Sequence, residues 1–198
     1  MKRSLIRAAL TGAVVGLSLL PSAAFAQRLT VADPKGDSHE IVQDPDTGAY
    51  SYPTVGSAPN SDFVRAVYRH TRSRIINRTT FMNLSHSGQG VIINAAIGTS
   101  TGLVRDAWVL KDPSKSGNRV AFHEPHGTPV PCSGMKRAID WDANTVMVSV
   151  PRSCLGSPRW VTVSVSGGNY GDGTRRSYVD VIGTSTTHYH WSARIRRG

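Results

Sequence analysis

Within 145–150, every second residue is a valine: Val146, Val148 and Val150 point one way, and Thr145, Met147 and Ser149 the other. The same alternation places Val161, Val163 and Val165 opposite Trp160, Thr162, Ser164 and Ser166. A period of two marks a half-buried strand, because successive side chains leave opposite faces of the sheet. Less cleanly, Val64, Ala66 and Tyr68 oppose Arg65 and Arg69. In 188–196, Tyr189, Trp191, Ala193 and Ile195 fall on the side predicted to be core. His188, His190, Ser192, Arg194 and Arg196 fall on the side predicted to face solvent.

Strands are predicted near 63–70, 74–84, 90–98, 103–110, 118–123, 144–150, 160–166, 177–183 and 188–196. Turn signals separate them, at Ser87-Gly88-Gln89-Gly90, Asp112-Pro113, Gly127-Thr128-Pro129, Gly156-Ser157-Pro158 and Gly167-Gly168-Asn169. No segment keeps a helical period over three turns. Many short strands with Gly/Pro turns predict an all-β fold, a two-layer antiparallel β-sandwich with solvated outer faces. Residues 27–61 differ, being rich in Asp, Pro, Gly and Ser with apolar pieces only at Leu29-Thr30-Val31 and Ile41-Val42. They read as an irregular N-terminal arm with a short edge strand, ahead of a sandwich domain over 62–198.

Residues 1–26 have a different pattern. Lys2, Arg3 and Arg7 precede an apolar run from Ala8 to Leu20, then Pro21 and Ala24-Phe25-Ala26. That is the form of a secretory signal peptide and is too short for a membrane span, so the expected product is a secreted chain starting at Gln27. No later apolar run is long enough to cross a bilayer. In an oxidising compartment the two cysteines, Cys132 and Cys154, are expected to pair. The chain-entropy model gives a bond closing such a loop about 3 kcal/mol.

The whole chain carries a formal charge of +10, and losing the three signal cations leaves +7. Such a balance favours anionic partners, although a basic surface also serves solubility alone. Cell-wall or acidic polysaccharide is the expected partner; a nucleic acid is not. Arg65, Arg69, Arg194 and Arg196 are the candidate binding cations, with Trp160, on the outward parity, as a ring for sugar stacking. Trp141, between Asp140 and Asp142, is a second ring of the same kind.

Two groups could hold metal. The arm offers Asp33-Pro34-Lys35-Gly36-Asp37 and Asp44-Pro45-Asp46-Thr47-Gly48, spacings that suit Ca²⁺ but equally suit plain turns. His188 and His190, two apart on a predicted strand, could chelate Zn²⁺ or Cu²⁺ with a third ligand from His123, Glu124 or His126. Catalytic motifs are thin: there is no nucleophile elbow, zinc-protease motif or phosphate loop. Asp140, Asp142, Asp172 and Asp180 are carboxylates from which a glycosidase pair would have to come.

The run Val150-Pro151-Arg152-Ser153-Cys154-Leu155-Gly156-Ser157-Pro158-Arg159-Trp160-Val161 resembles a VPRSCLGxPxWV segment. Secreted actinobacterial proteins of unassigned activity carry that segment after a cysteine-containing loop. Asp62-Phe63-Val64-Arg65 with Val67-Tyr68-Arg69-His70 is similar to the start of the same domain. The resemblance implies a β-sandwich like those of carbohydrate-binding modules and carries over no catalytic residue or ligand. The expected function is a secreted, non-catalytic binding module for a polysaccharide or anionic envelope surface. The rivals are a secreted hydrolase, metal-dependent through His188 and His190, and an envelope protein-interaction domain.

Overall fold

A computed structural model describes residues 27–86, 89–170 and 176–198. The expected signal peptide, Ser87-Gly88 of one predicted turn and Asp172 lie outside the described residues. In chain order the strands are β1 (Gln27–Ala32), β2 (Ser38–Glu40), β3 (Val42–Gln43), β4 (Tyr50–Ser51) and β5 (Thr54–Gly56). Then come β6 (Phe63–His70), β7 (Arg74–Phe81), β8 (Gly90–Thr99), β9 (Val104–Lys111) and β10 (Arg119–His123). Last are β11 (Lys136–Asp140), β12 (Thr145–Pro151), β13 (Trp160–Tyr170), β14 (Tyr178–Val181) and β15 (Ile195–Arg196).

Two antiparallel sheets pack face to face, as the alternating pattern predicts. One has the order β1-β6-β7-β12-β11; the other runs β10-β9-β8-β13-β14-β2-β5, with β15 also on β13. Between them lie Phe63, Tyr68, Ile75 and Phe81 from the first sheet and Ile93, Ile97, Val109, Val163 and Val165 from the second, all buried. Val146, Val148 and Val150 join this core, as their parity requires. Cys132 and Cys154 form the expected disulfide, tying the segment before β11 to the 3-10 turn Arg152–Leu155 after β12. No described helix is long and apolar enough to cross a membrane.

The structure departs from the pattern in four places. Gly167-Gly168, predicted as a turn, continues β13. A Cβ on Gly167 would stand 2.3 Å from the Ile92 carbonyl oxygen, and one on Gly168 2.0 Å from that of Tyr178. These glycines let three backbones close up within the sheet. The arm, expected to be irregular beyond its edge strand, supplies β1 to one sheet, β2 and β5 to the other, and the β3–β4 hairpin. β11 was not foreseen, because Ile139 is its only large apolar residue.

The fourth departure is the final segment. Ile182 donates its N–H to the Val165 carbonyl and Ser192 donates to that of Val163, while β15 pairs with Trp160 and Val161. β14 and β15 are therefore two parts of one edge along β13, and residues 183–191 leave that edge as an excursion. Tyr189 and Trp191, assigned to the core by parity, are 56% and 41% exposed, and Ala193 is exposed too. Ser192 is buried in their place, with its hydroxyl accepting from the Val163 N–H. Only Ile195 keeps its predicted inward position.

Candidate functional site

The outer face of the five-stranded sheet follows from the register. β1 and β6 pair Arg28 with Arg69 and Ala32 with Arg65, and β6 and β7 pair Val67 with Arg78. β7 and β12 set Ile76 beside Ser149 and Arg78 beside Met147, and Lys136 of β11 faces Ser149. The outward parity of four of the five strands, β1, β6, β7 and β11, thus brings a cation to the same side, and β12 adds only Thr145, Met147 and Ser149. Arg28, Arg65, Arg69, Arg74, Arg78 and Lys136 line one open groove of about 750 Å³, floored by Val67, Ile76, Thr80, Thr145 and Met147.

One of these cations is fixed in place. The Arg74 guanidinium donates to the Ser149 hydroxyl (2.6 Å) and to the carbonyls of Ser149 and Gly134 (2.8 Å each), closing one end of the groove. The others carry no ion pair among the described residues. Among the described residues the ion pairs are Arg105–Glu124, Lys115–Asp112, Arg119–Asp112 and Arg176–Glu40, and none lies in the groove. Adjacent strands lie about 4.8 Å apart and alternate residues about 6.8 Å apart along a strand, so the cations form a lattice that can meet repeated anionic groups.

The structure divides the residues singled out from sequence. Arg65 and Arg69 are in the groove, joined by Arg28, Arg78 and Lys136, which sequence reasoning missed. Arg28 was findable, since it falls on the opposite parity from Leu29 and Val31. Trp160, Arg194 and Arg196 stand elsewhere, along β13 and β15. The Arg194 guanidinium lies 4.4 Å from the centroid of the half-buried Trp160 ring and covers one of its faces. Arg196 is exposed, and its backbone N–H bonds the Gln27 side-chain oxygen. Trp141 is half-buried against the core, with the His86 ring tilted 34° against it at a centroid distance of 4.0 Å.

The opposite outer face is built otherwise. Asn94, Ala96, Asp106 and Ser164 point outward from the eight-stranded sheet yet are buried, because the excursion folds back over them. Trp191 sits against Gly98, where an added Cβ would come 3.5 Å from the ring. Tyr189 stacks on Trp191 with centroids 6.1 Å apart and planes 26° from parallel. Parity had assigned this exposed aromatic pair to the core.

His188 and His190 lie in the excursion, both exposed, and not on a strand. Among the described residues no histidine belongs to a group of three ligand-bearing side chains close enough to share a metal. Ser164, Asp106 and His123 sit in one row, but the register puts β13, β8, β9 and β10 in that order. Ser164 and His123 are three strand spacings apart, about 14 Å, too far for a base to reach a nucleophile.

The aspartates of the arm separate into two groups. Asp44 caps a tight turn, with its carboxylate accepting from the N–H groups of Asp46 (2.9 Å) and Thr47 (2.8 Å), which hold its carboxyl below the usual range. Asp33 and Asp37 are buried beside Asp180. Burial, then repulsion from Asp180, pushes the Asp33 carboxyl far up; burial also raises Asp180 and Asp37. Comparison of the chain with protein families, curated proteins and solved structures finds no match.

Proposed function

We propose that this protein is a secreted, non-catalytic binding module whose basic groove holds an acidic polysaccharide or a phosphate-bearing wall polymer. One observation carries the reading: five cations that pair with no carboxylate among the described residues share one grooved sheet face with a sixth, Arg74, that the fold locks in place. Leaving so many like charges together costs free energy that a polyanion would repay. The floor between them is short and partly apolar, which suits a flat chain lying across the strands. Co-sedimentation with acidic and neutral insoluble polysaccharides at low and high salt tests it. Retention on the acidic polymer that disappears with salt is the expected result. Equal retention on neutral polymer, or binding indifferent to salt, would refute it.

The exposed Tyr189–Trp191 pair supports a second reading, in which neutral sugar rings stack on the opposite face. Salt-insensitive retention that Trp191→Ala removes would favour it over the groove.

A further inference from the structure

Three carboxylates meet where the arm crosses from one sheet to the other. Asp33 directly follows β1 of the five-stranded sheet, Asp37 directly precedes β2 of the eight-stranded sheet, and Asp180 lies on β14 beside it. One oxygen from each can be chosen so that all lie within 4.8 Å of one another. All three residues are more than nine-tenths buried, at 9%, 7% and 0% exposure.

Their hydrogen bonds satisfy only part of this cluster. Asp180 accepts from the N–H of Phe63 and of Val181, both at 2.7 Å, and Asp33 accepts from the Gly183 N–H. The other oxygen of Asp33 and both oxygens of Asp37 are closed off from solvent and accept no hydrogen bond from a residue outside the cluster; within it, Asp33 and Asp180 are close enough to share a proton. No ion pair among the described residues reaches any of the three. His39, two residues after Asp37, points both ring nitrogens at carbonyl oxygens, Tyr52 at 2.9 Å and Ser185 at 3.1 Å, and makes no bond to the three carboxylates.

Burying one unpaired carboxylate costs several kcal/mol, and three at close range cannot all stay ionised without a counter-charge. An all-oxygen, strongly anionic cluster suits a hard cation; Zn²⁺ would call for nitrogen or sulfur ligands. Mg²⁺ holds several of its waters, whereas oxygens shut off from solvent favour an ion that sheds them and accepts irregular geometry.

We propose that Asp33, Asp37 and Asp180 bind one Ca²⁺, clamping the arm across the two sheets. The ion replaces the missing partners of Asp33 and Asp37 and draws the ends of β1, β2 and β14 together. Calorimetric titration of the EDTA-treated protein with CaCl₂, and thermal melts in Ca²⁺, Mg²⁺ and EDTA, test this. One Ca²⁺ per chain is expected, with a dissociation constant of about 10⁻⁴ to 10⁻³ M, as in extracellular modules. Tm should rise in Ca²⁺ and not in equimolar Mg²⁺.

Asp37→Asn gives the sharper test, because the Asp37 side chain accepts no hydrogen bond from another residue. The variant should melt in EDTA at or above the wild-type temperature, since one repelling charge is gone, and should ignore Ca²⁺. Asp33→Asn, whose amide oxygen can keep the Gly183 bond, should ignore Ca²⁺ as well. Absence of heat and of any Ca²⁺-dependent Tm change in the wild type would overturn the proposal. So would an undiminished Ca²⁺ response in Asp37→Asn, or an equal response to Mg²⁺.

Discussion

The two outer faces of the sandwich start from the same rule and end differently. On the five-stranded sheet, outward residues stay outward, so a period-two pattern with arginines on one parity becomes a cationic lattice. On the eight-stranded sheet, residues 183–191 return over the face. Outward residues such as Asp106 and Ser164 become interior, and Tyr189 and Trp191 form a new exterior. Charge is presented by regular strands, whereas aromatic surface is presented by a break in one. Parity is thus a reliable guide to a face only where nothing later in the chain lies on it.

The largest effect should come from the strand that supports the excursion. A Cβ at residue 168 would overlap the Tyr178 carbonyl, so Gly168→Ala must push β14 off β13. Denaturant unfolding should show a loss of about 4 kcal/mol, the scale of a severe core lesion. A loss below about 1 kcal/mol would mean that the close approach is not needed for the fold. Next comes a double dissociation. Arg65→Glu with Arg69→Glu should weaken binding to an acidic polysaccharide by about 100-fold at low salt, and Trp191→Ala should leave it unchanged. If both variants weaken that binding alike, the two faces do not act separately.

The smallest effect concerns the seam where the two sheets touch. His70 of β6 is fully buried, and its Nδ1–H donates to the Ile195 carbonyl of β15 at 3.0 Å. Burial holds its pKa below the ordinary value; the bond to Ile195 opposes this, and Arg152 and Arg197 add to the lowering. As pH falls through about 6.5, the unfolded chain takes up the proton first. Stability should therefore fall with pH in that range and level off below the folded-state pKa. In His70→Gln that part of the slope should vanish; thermal melts from neutral to mildly acidic pH give the comparison. Parallel slopes for the two proteins would remove His70 from the account.

Much of the architecture was legible in the sequence because valine alternation needs no tertiary information. Val146 to Val150 and Val161 to Val165 identify their inner faces unaided. Two of the six groove cations, Arg65 and Arg69, were legible for the same reason. Arg78 was hidden because its buried neighbours, Asn77 and Thr79, are polar and bond each other, which blurs the alternation. Gly167-Gly168 carries the composition of a turn, and only the two flanking strands explain why glycine is needed there. Asp180 looked like one of several candidate catalytic acids. Its neighbours lie more than 140 positions earlier in the chain, a distance that no local pattern spans.

That long span bears on the order of assembly. The hairpins β6–β7, β8–β9 and β11–β12 join residues close in the chain. By contrast, β2 reaches β14 with Glu40 opposite Tyr178, closing a loop of most of the protein. Closing long loops delays contact formation, so the sandwich body should form from its hairpins and the arm should dock onto it last. The three aspartates would come together only at that step, making the arm the slow latch of refolding.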